Sequence, residues 1–241
     1  MSWMFAGHLL LGSAQVATYV YRLLRPHRVG IYGPTMSGKT TLDQYLTVPG
    51  DIDPIPTGMR TTHPVKNGSF AMPRSTKKQV RWNGDRTPIT SADIGGQRQY
   101  WNMWADDMVK HHREVIFYVV DERMFTSPQA AMEAVAGFQY IVDIVTDTKY
   151  PSTFNRSMKK RAKRWKPKVV CLLFNKMDLW WNPEADAMWK AGLKRQYQIG
   201  LPFQHELRRL RRAGIPTNVE AIAAQFGLNV EKAIVDTIHL I

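Results

Sequence analysis

Three short strings in this chain carry residue types that could do chemistry. Gly33-Pro-Thr-Met-Ser-Gly38-Lys39-Thr40 has the spacing GxxxxGK[ST]. In a loop of that kind successive backbone N–H groups point inward at an anion, the lysine serves the β- and γ-phosphates, and the hydroxyl serves Mg²⁺. The string predicts a bound nucleoside triphosphate, held by Gly33, Thr35, Met36, Ser37, Gly38, Lys39, Thr40 and Thr41. Asn175-Lys176-Met-Asp178 would select the base. A carboxylate such as Asp178 accepts two hydrogen bonds from the N1–H and N2 amino edge of guanine, a pair that adenine does not offer, so the expected ligand is GTP or GDP. The remaining string, Asp93-Ile-Gly95-Gly96-Gln97, offers an acid, two glycines and an amide.

These strings need elements that bring them together, and the flanking residues supply them. Arg28-Val-Gly-Ile-Tyr32 reads as a buried strand ahead of the first string, and Thr40 to Leu46 as a helix start behind it. Ile89 to Asp93 and Val169 to Asn175 are apolar runs that deliver the other two. Ligands in open α/β sheets bind beyond the carboxyl ends of strands, so the three strings should meet in one crevice. Further along, Val115 to Val120 reads as another strand, and Ser127-Pro128 as the capped start of a helix reaching about Thr148. Asn182-Pro183 repeats that start signal. A helix near 203 to 213 ends at Gly214, a strand covers 217 to 223, and a last helix follows Asn229. Two more strands are expected about a turn at Asn83-Gly84-Asp85, and a helix around 100 to 112.

The set resembles the motifs of a Ras-superfamily small GTPase. The GGQ form of the second string is most similar to the Arf-like branch and to the beta subunit of the signal-recognition-particle receptor. Val115 to Asp121 is similar to the family's strand and acidic turn, and Ala223-Ala224-Gln225-Phe-Gly227-Leu-Asn229-Val-Glu231 to the stretch that closes the base pocket. The resemblance covers roughly residues 28 to 241. It implies an α/β P-loop NTPase fold, a mostly parallel central sheet with helices on both faces, preceded by an N-terminal helix. It also implies roles: Gln97 orienting the attacking water, Gly96 offering an N–H to the γ-phosphate, and Ala224 and Gln225 at the base. Asp93 and Thr40 would hold Mg²⁺, joined by a threonine from the loop at 48 to 64. Thr57 is most similar to the Arf-like version, with Thr61 and Thr62 as alternatives. Gln97, Lys39 and Thr57 are thus the candidate catalytic residues.

The implied activity is slow GTP hydrolysis coupled to a switch, in which GTP orders residues 48 to 64 and 94 to 104 and hydrolysis releases them. Trp101 and Trp104 lie in the second segment, as ordinary core residues or as anchors for a protein effector. Departures from the family pattern are Thr35 and Met36 in the phosphate loop, Ala92 before Asp93, and Ala223 where serine is usual. They bear on rate rather than on binding. A second reading follows from them: a nucleotide-binding scaffold subunit with little turnover.

Composition sets outer bounds. The 241 residues are 44% hydrophobic, enough for one sizeable core, so residues 28–241 are read as one GTPase domain with insertions near 150–168 and 180–200. The single cysteine, Cys171, cannot form an internal disulfide, which points to a reducing, cytoplasmic compartment. No Cys/His cluster has zinc spacing; His111 and His112 are adjacent and would point to different faces of a helix.

Residues 1–27 form the other distinctive stretch. Phe5, Leu9, Gly12, Val16, Tyr19 and Leu23 recur at three- and four-residue spacing, and Arg22, Arg25 and Arg28 follow. A helix on a membrane surface and a helix packed on protein are equally compatible with this stripe. Ser2 leaves no N-myristoylation signal. The net charge of +13 is concentrated in Lys159 to Lys168 and Arg208 to Arg212. Those runs are solvated faces, an anionic-membrane contact, or a nucleic-acid contact in which Trp165 stacks on a base, the last being the less favoured partner. The expected partners are a protein effector, an activating protein and an anionic membrane surface.

Overall fold

The computed structural model describes residues 28–47 and 96–241. The expectations for residues 1–27, for the loop holding Thr57, Thr61 and Thr62, for the strands about Asn83 and for Asp93 and Gly95 fall outside the described residues.

Strand β1 (Val29–Tyr32) leads through the glycine loop into helix α1 (Lys39–Thr47). A turn of 3-10 helix at Arg98–Tyr100 continues into α2 (Trp101–Lys110), then β2 (Val115–Val120), the short α3 (Arg123–Thr126) and the long α4 (Pro128–Val145). Next come α5 (Arg156–Arg164), β3 (Val169–Phe174), the short α6 (Met177–Trp180) and α7 (Pro183–Lys190). Helix α8 (Gln204–Arg212), β4 (Thr217–Ala221) and α9 (Val230–Ile238) complete the chain.

The described strands form one parallel sheet in the order β1-β2-β3-β4. Runs such as Val-Ile-Phe-Tyr-Val-Val have no polar alternation because helices cover both faces, as parallel sheets require. Side chains nonetheless divide by the two-residue period. Tyr118, Val120, Leu172, Phe174 and Val219 pack against Trp104 and Met108 of α2, Phe138 and Ile141 of α4 and Leu207 and Leu210 of α8. Val29, Ile31, Phe117, Val119, Cys171 and Leu173 pack against Leu42 of α1 and Val230, Ala233 and Ile234 of α9.

The start signals read from sequence operate as caps: Ser127 Oγ accepts from Ala130 N and Asn182 Oδ1 from Ala185 N. Helix α4 stops at Val145 rather than near Thr148, because Asp147 takes φ +61°. Regular pairing of β4 stops at Ala221, after which Ala223 bridges to Leu228 in an antiparallel sense. Helix α5 occupies the stretch read only as a basic insertion, and Asn155 caps it by accepting from Met158 N. Among the described residues no helix is long and apolar enough to cross a membrane.

Candidate nucleotide site

The carboxyl ends of β1, β2, β3 and β4 open onto four loops, at 33–38, 121–123, 175–178 and 222–229. The phosphate loop and the Asn175–Asp178 string are therefore neighbours in space although up to 145 positions separate them in the chain (178 − 33).

The phosphate loop curls back on itself. Lys39, buried at the first position of α1, donates from Nζ to Pro34 O at 2.7 Å. Gly38 sits at φ +87°, and a β-carbon there would lie 2.0 Å from Asn175 Nδ2, so only glycine serves. Met36 also takes the left-handed conformation, at φ +63°, and its side chain is exposed. Of Thr35 and Met36, the two departures in the phosphate loop, Met36 is accommodated by turning outward. Two buried hydroxyls of the loop, Thr35 Oγ1 and Ser37 Oγ, have no hydrogen-bond partner among the described residues. A loop turned by positive φ at Gly33, Met36 and Gly38, with a buried lysine and two hydroxyls unpartnered among the described residues, is a donor set that fits a phosphate chain. Thr40 lies in the first turn of α1, next to Lys39, and Thr41 follows it.

Gly96 abuts this loop. A β-carbon on it would come within 2.1 Å of Thr35 N and 2.2 Å of Pro34 C, so the second string is pressed against the phosphate loop by backbone alone. Gln97 then precedes the 3-10 turn into α2, and its Oε1 accepts from Gln99 Nε2 at 2.9 Å. The structure thus brings Gly96 to the loop, and Gln97 is the next residue in the chain.

Asn175 ties the crevice together. It is 2% exposed and its side-chain amide donates to Ser37 O at 2.9 Å, while its Oδ1 accepts from Ala224 N at 2.9 Å. One side chain therefore fixes the phosphate loop to the segment expected at the base. Gln225, next to Ala224, is exposed. Lys176 adopts φ +55° and its ammonium reaches Asp121 at 2.9 Å and Glu122. Asp178 stands exposed in the first turn of α6, with no hydrogen bond or ion pair among the described residues. Asp178 also borders a cavity of about 570 Å³ lined by the apolar Met177, Trp181, Trp189 and Leu228 and by the charged Asp186, Lys190, Lys194, Glu220 and Lys232.

Sequence reasoning missed two groups here. Arg123 at the start of α3 forks onto Asp121, Nε to Oδ1 at 3.0 Å and to Oδ2 at 2.9 Å, and donates from Nη2 to Thr35 O. It thus clamps the outer carbonyl of the phosphate loop. Its only sequence signal is a position three residues past the end of β2. The second is a buried triad directly below the loop. Tyr32 Oη donates to Asp107 Oδ2 at 2.5 Å, and Arg113, with no exposed surface, pairs with Asp107 at 2.7 and 3.0 Å. Burial, then the Asp107 charge, pushes the Tyr32 hydroxyl well above its ordinary range. Burial, the largest single influence, works against the Arg113 charge, but the Asp107 hydrogen bond and the charges of Tyr32 and Asp107 together outweigh it and hold the guanidinium above its usual value. The triad links the residue before Gly33 to the helix that follows Gln97.

Burial decides between readings that the sequence left open for three tryptophans. Trp101 and Trp104 are 8% and 0% exposed and stack in the core at 5.8 Å, so they are packing residues and not effector anchors. Trp165 is 5% exposed and donates from Nε1 to Arg113 O at 3.1 Å, which removes it as a stacking platform for a base. In each case the long-range packing of α2, α4 or α5 against the sheet took an aromatic that the sequence left open.

A parallel α/β sheet whose first strand feeds a glycine loop and helix defines a P-loop nucleotide-binding fold. Two solved small GTPases are similar to the chain. The Arl6 BBS3 small GTPase from Trypanosoma brucei, with bound nucleotide analogue GppNp, is 15% identical with a TM-score of 0.48, covering 88% of this chain and 97% of that one. The ADP-ribosylation-factor-like GTP-binding protein, small COPII coat GTPase SAR1, from Encephalitozoon cuniculi in complex with GDP is 18% identical with a TM-score of 0.48, covering 93% of this chain and 86% of that one. No protein-family model and no curated protein matches the sequence.

Proposed function

We propose that the chain is a GTP-binding switch that hydrolyses its nucleotide slowly. The observation that carries this reading is the double engagement of Asn175, which joins Ser37 of the phosphate loop to Ala224 of the base segment. A site built only for an anion needs no such brace to a second loop carrying an open carboxylate.

Each residue then has a task. The loop N–H groups and Lys39 hold the phosphates, and Lys39 leaves Pro34 O to do so. Asp178 accepts from the guanine edge, with Ala224 and Gln225 beside it. Gln97 leaves Gln99 and orients water, while Gly96 donates its N–H to the γ-phosphate. Magnesium, when bound, neutralises charge building on the phosphate oxygens. Thr40, in the first turn of α1, is proposed to hold it together with Asp93 and Thr57. We extend the reading to a protein effector, an activating protein and a cytoplasmic membrane face approached by residues 1–27.

A non-hydrolysing scaffold is the second reading, and the Gln97 to Gln99 bond favours it to the extent that it holds the amide away from the loop. Single-turnover GTP hydrolysis by wild type and Gln97→Leu tests both. A switch shows a rate of order 10⁻⁴ to 10⁻² per second that the substitution abolishes; equal rates for the two proteins would leave only the scaffold.

A further inference from the structure

At the opposite end of the sheet from the nucleotide crevice, the segment 192–201 and helix α8 enclose a cavity of about 600 Å³. Arg195, Arg208 and Arg211 line it together with Leu193, Leu201 and Leu207, and no lining residue is acidic. Its depth in the fold is fixed by Arg195, whose Nη2 donates to both the carbonyl and the hydroxyl of Thr217, each at 2.9 Å. Thr217 opens β4, whereas the nucleotide loops lie beyond Ala221 at the other end of that strand.

The arginines of α8 are treated differently on its two faces. Arg209 points away from the cavity and is neutralised, by Asp143 at 2.7 Å and Glu206 at 2.6 Å. Arg208 and Arg211, one on each side of it and three positions apart on one face, have no acidic partner among the described residues. Arg208 bonds only to neutral oxygens of Gln204, at 3.3 and 3.5 Å. Burial, then the facing charge of Arg211, lowers the pKa of Arg195. Three guanidinium groups therefore share one hollow with only neutral oxygens, and no carboxylate among the described residues, to offset their repulsion. Against them lies apolar surface: Leu207 is buried at the floor, while Leu193 and Leu201 stand exposed at the rim.

We propose that this cavity is a second anion site, which takes a phosphate monoester carried on an apolar body. Planar guanidinium forks match phosphate oxygens in pairs, and the leucines cover whatever the phosphate is attached to. The group is the headgroup of an acidic lipid or belongs to a small soluble molecule, since both present the same dianion.

The test measures binding of inorganic pyrophosphate by calorimetry to the full chain carrying Lys39→Ala, which separates this cavity from the phosphate loop. In parallel, flotation is followed with vesicles of phosphatidylcholine alone and with added phosphatidic acid. Arg208→Glu with Arg211→Glu is compared with Lys159→Glu and Lys160→Glu on α5, exposed residues whose replacement changes the net charge equally. The proposal expects the α8 pair to weaken pyrophosphate binding or acidic-vesicle binding at least about tenfold, and the α5 pair to change either by less than about twofold. Loss confined to vesicles identifies the lipid source, and loss with pyrophosphate the soluble one. Absence of binding to both probes, an equal loss in the α5 pair, or RNA binding that both pairs weaken alike would overturn it, the last by assigning the charge to a diffuse polyanion face.

Discussion

Asn175 Nδ2 donates to Ser37 O across 2.9 Å, joining positions 138 apart in sequence, while Gly38 leaves no room for a side chain between them. The bond crosses from the end of β3 to the phosphate loop after β1. It couples two loops that β2 keeps from touching through the sheet.

Asn175→Ala should therefore harm both fold and site. Ser37 O and Ala224 N would be left buried without partners, at about 1–3 kcal/mol each. Denaturant unfolding should report a loss of roughly 2–4 kcal/mol, and stopped-flow release of a fluorescent GDP should quicken. A variant that keeps wild-type release would show that the brace does not support nucleotide.

Asp178→Asn separates recognition of the base from the fold. The residue is exposed and has no partner among the described residues, so stability should shift by less than about 0.5 kcal/mol. Guanine loses one charged acceptor, worth about 2 kcal/mol, or roughly thirtyfold in affinity. An amide offers a donor to the 2-oxo group of xanthine, so preference should swing toward xanthine nucleotides. Calorimetry with GDP and xanthosine diphosphate measures the ratio.

Arg123→Lys keeps the charge but loses the fork that spans Asp121 and Thr35 O. The phosphate loop should relax, with GDP release about fivefold faster, consistent with roughly 1 kcal/mol for a part-exposed pair. Thermal unfolding without nucleotide should change little. If release is unaltered, Arg123 serves α3 alone and not the loop.

Cys171 gives a pH-dependent outcome. Burial pushes its thiol up to about 12 from 9.0, with smaller opposing and supporting contributions from Thr237 and Glu220. A folded pKa above the unfolded one means stability that is present below about 9 and lost as pH rises toward 12. In the native protein the thiol should resist iodoacetamide at pH 7 and at pH 9, and react on unfolding. Cys171→Ala should flatten the alkaline part of the stability profile. Prompt native-state labelling would contradict the buried placement between Phe117 and Asn218 in the sheet register.

Local physics wrote much of this molecule into the chain. Unbroken apolar runs such as Val169–Phe174 have to be buried on two faces, and Ser127-Pro128 and Asn182-Pro183 satisfy orphan helix N–H groups whatever surrounds them. Because β-strands in a parallel sheet present their following loops at one end, the meeting of Gly33–Thr40 with Asn175–Asp178 was legible before any coordinate. Tertiary structure alone decided what depends on contacts between distant residues. It set Arg123 on Thr35, closed Tyr32, Asp107 and Arg113 into a buried triad, and turned Trp101, Trp104 and Trp165 inward. It also parted Arg209 from Arg208 and Arg211, pairing one with acids of α4 and α8 and leaving the others facing a hollow. A run of like charges looks uniform along the chain. Which of its members find counterions depends on the elements packed on each side of the helix.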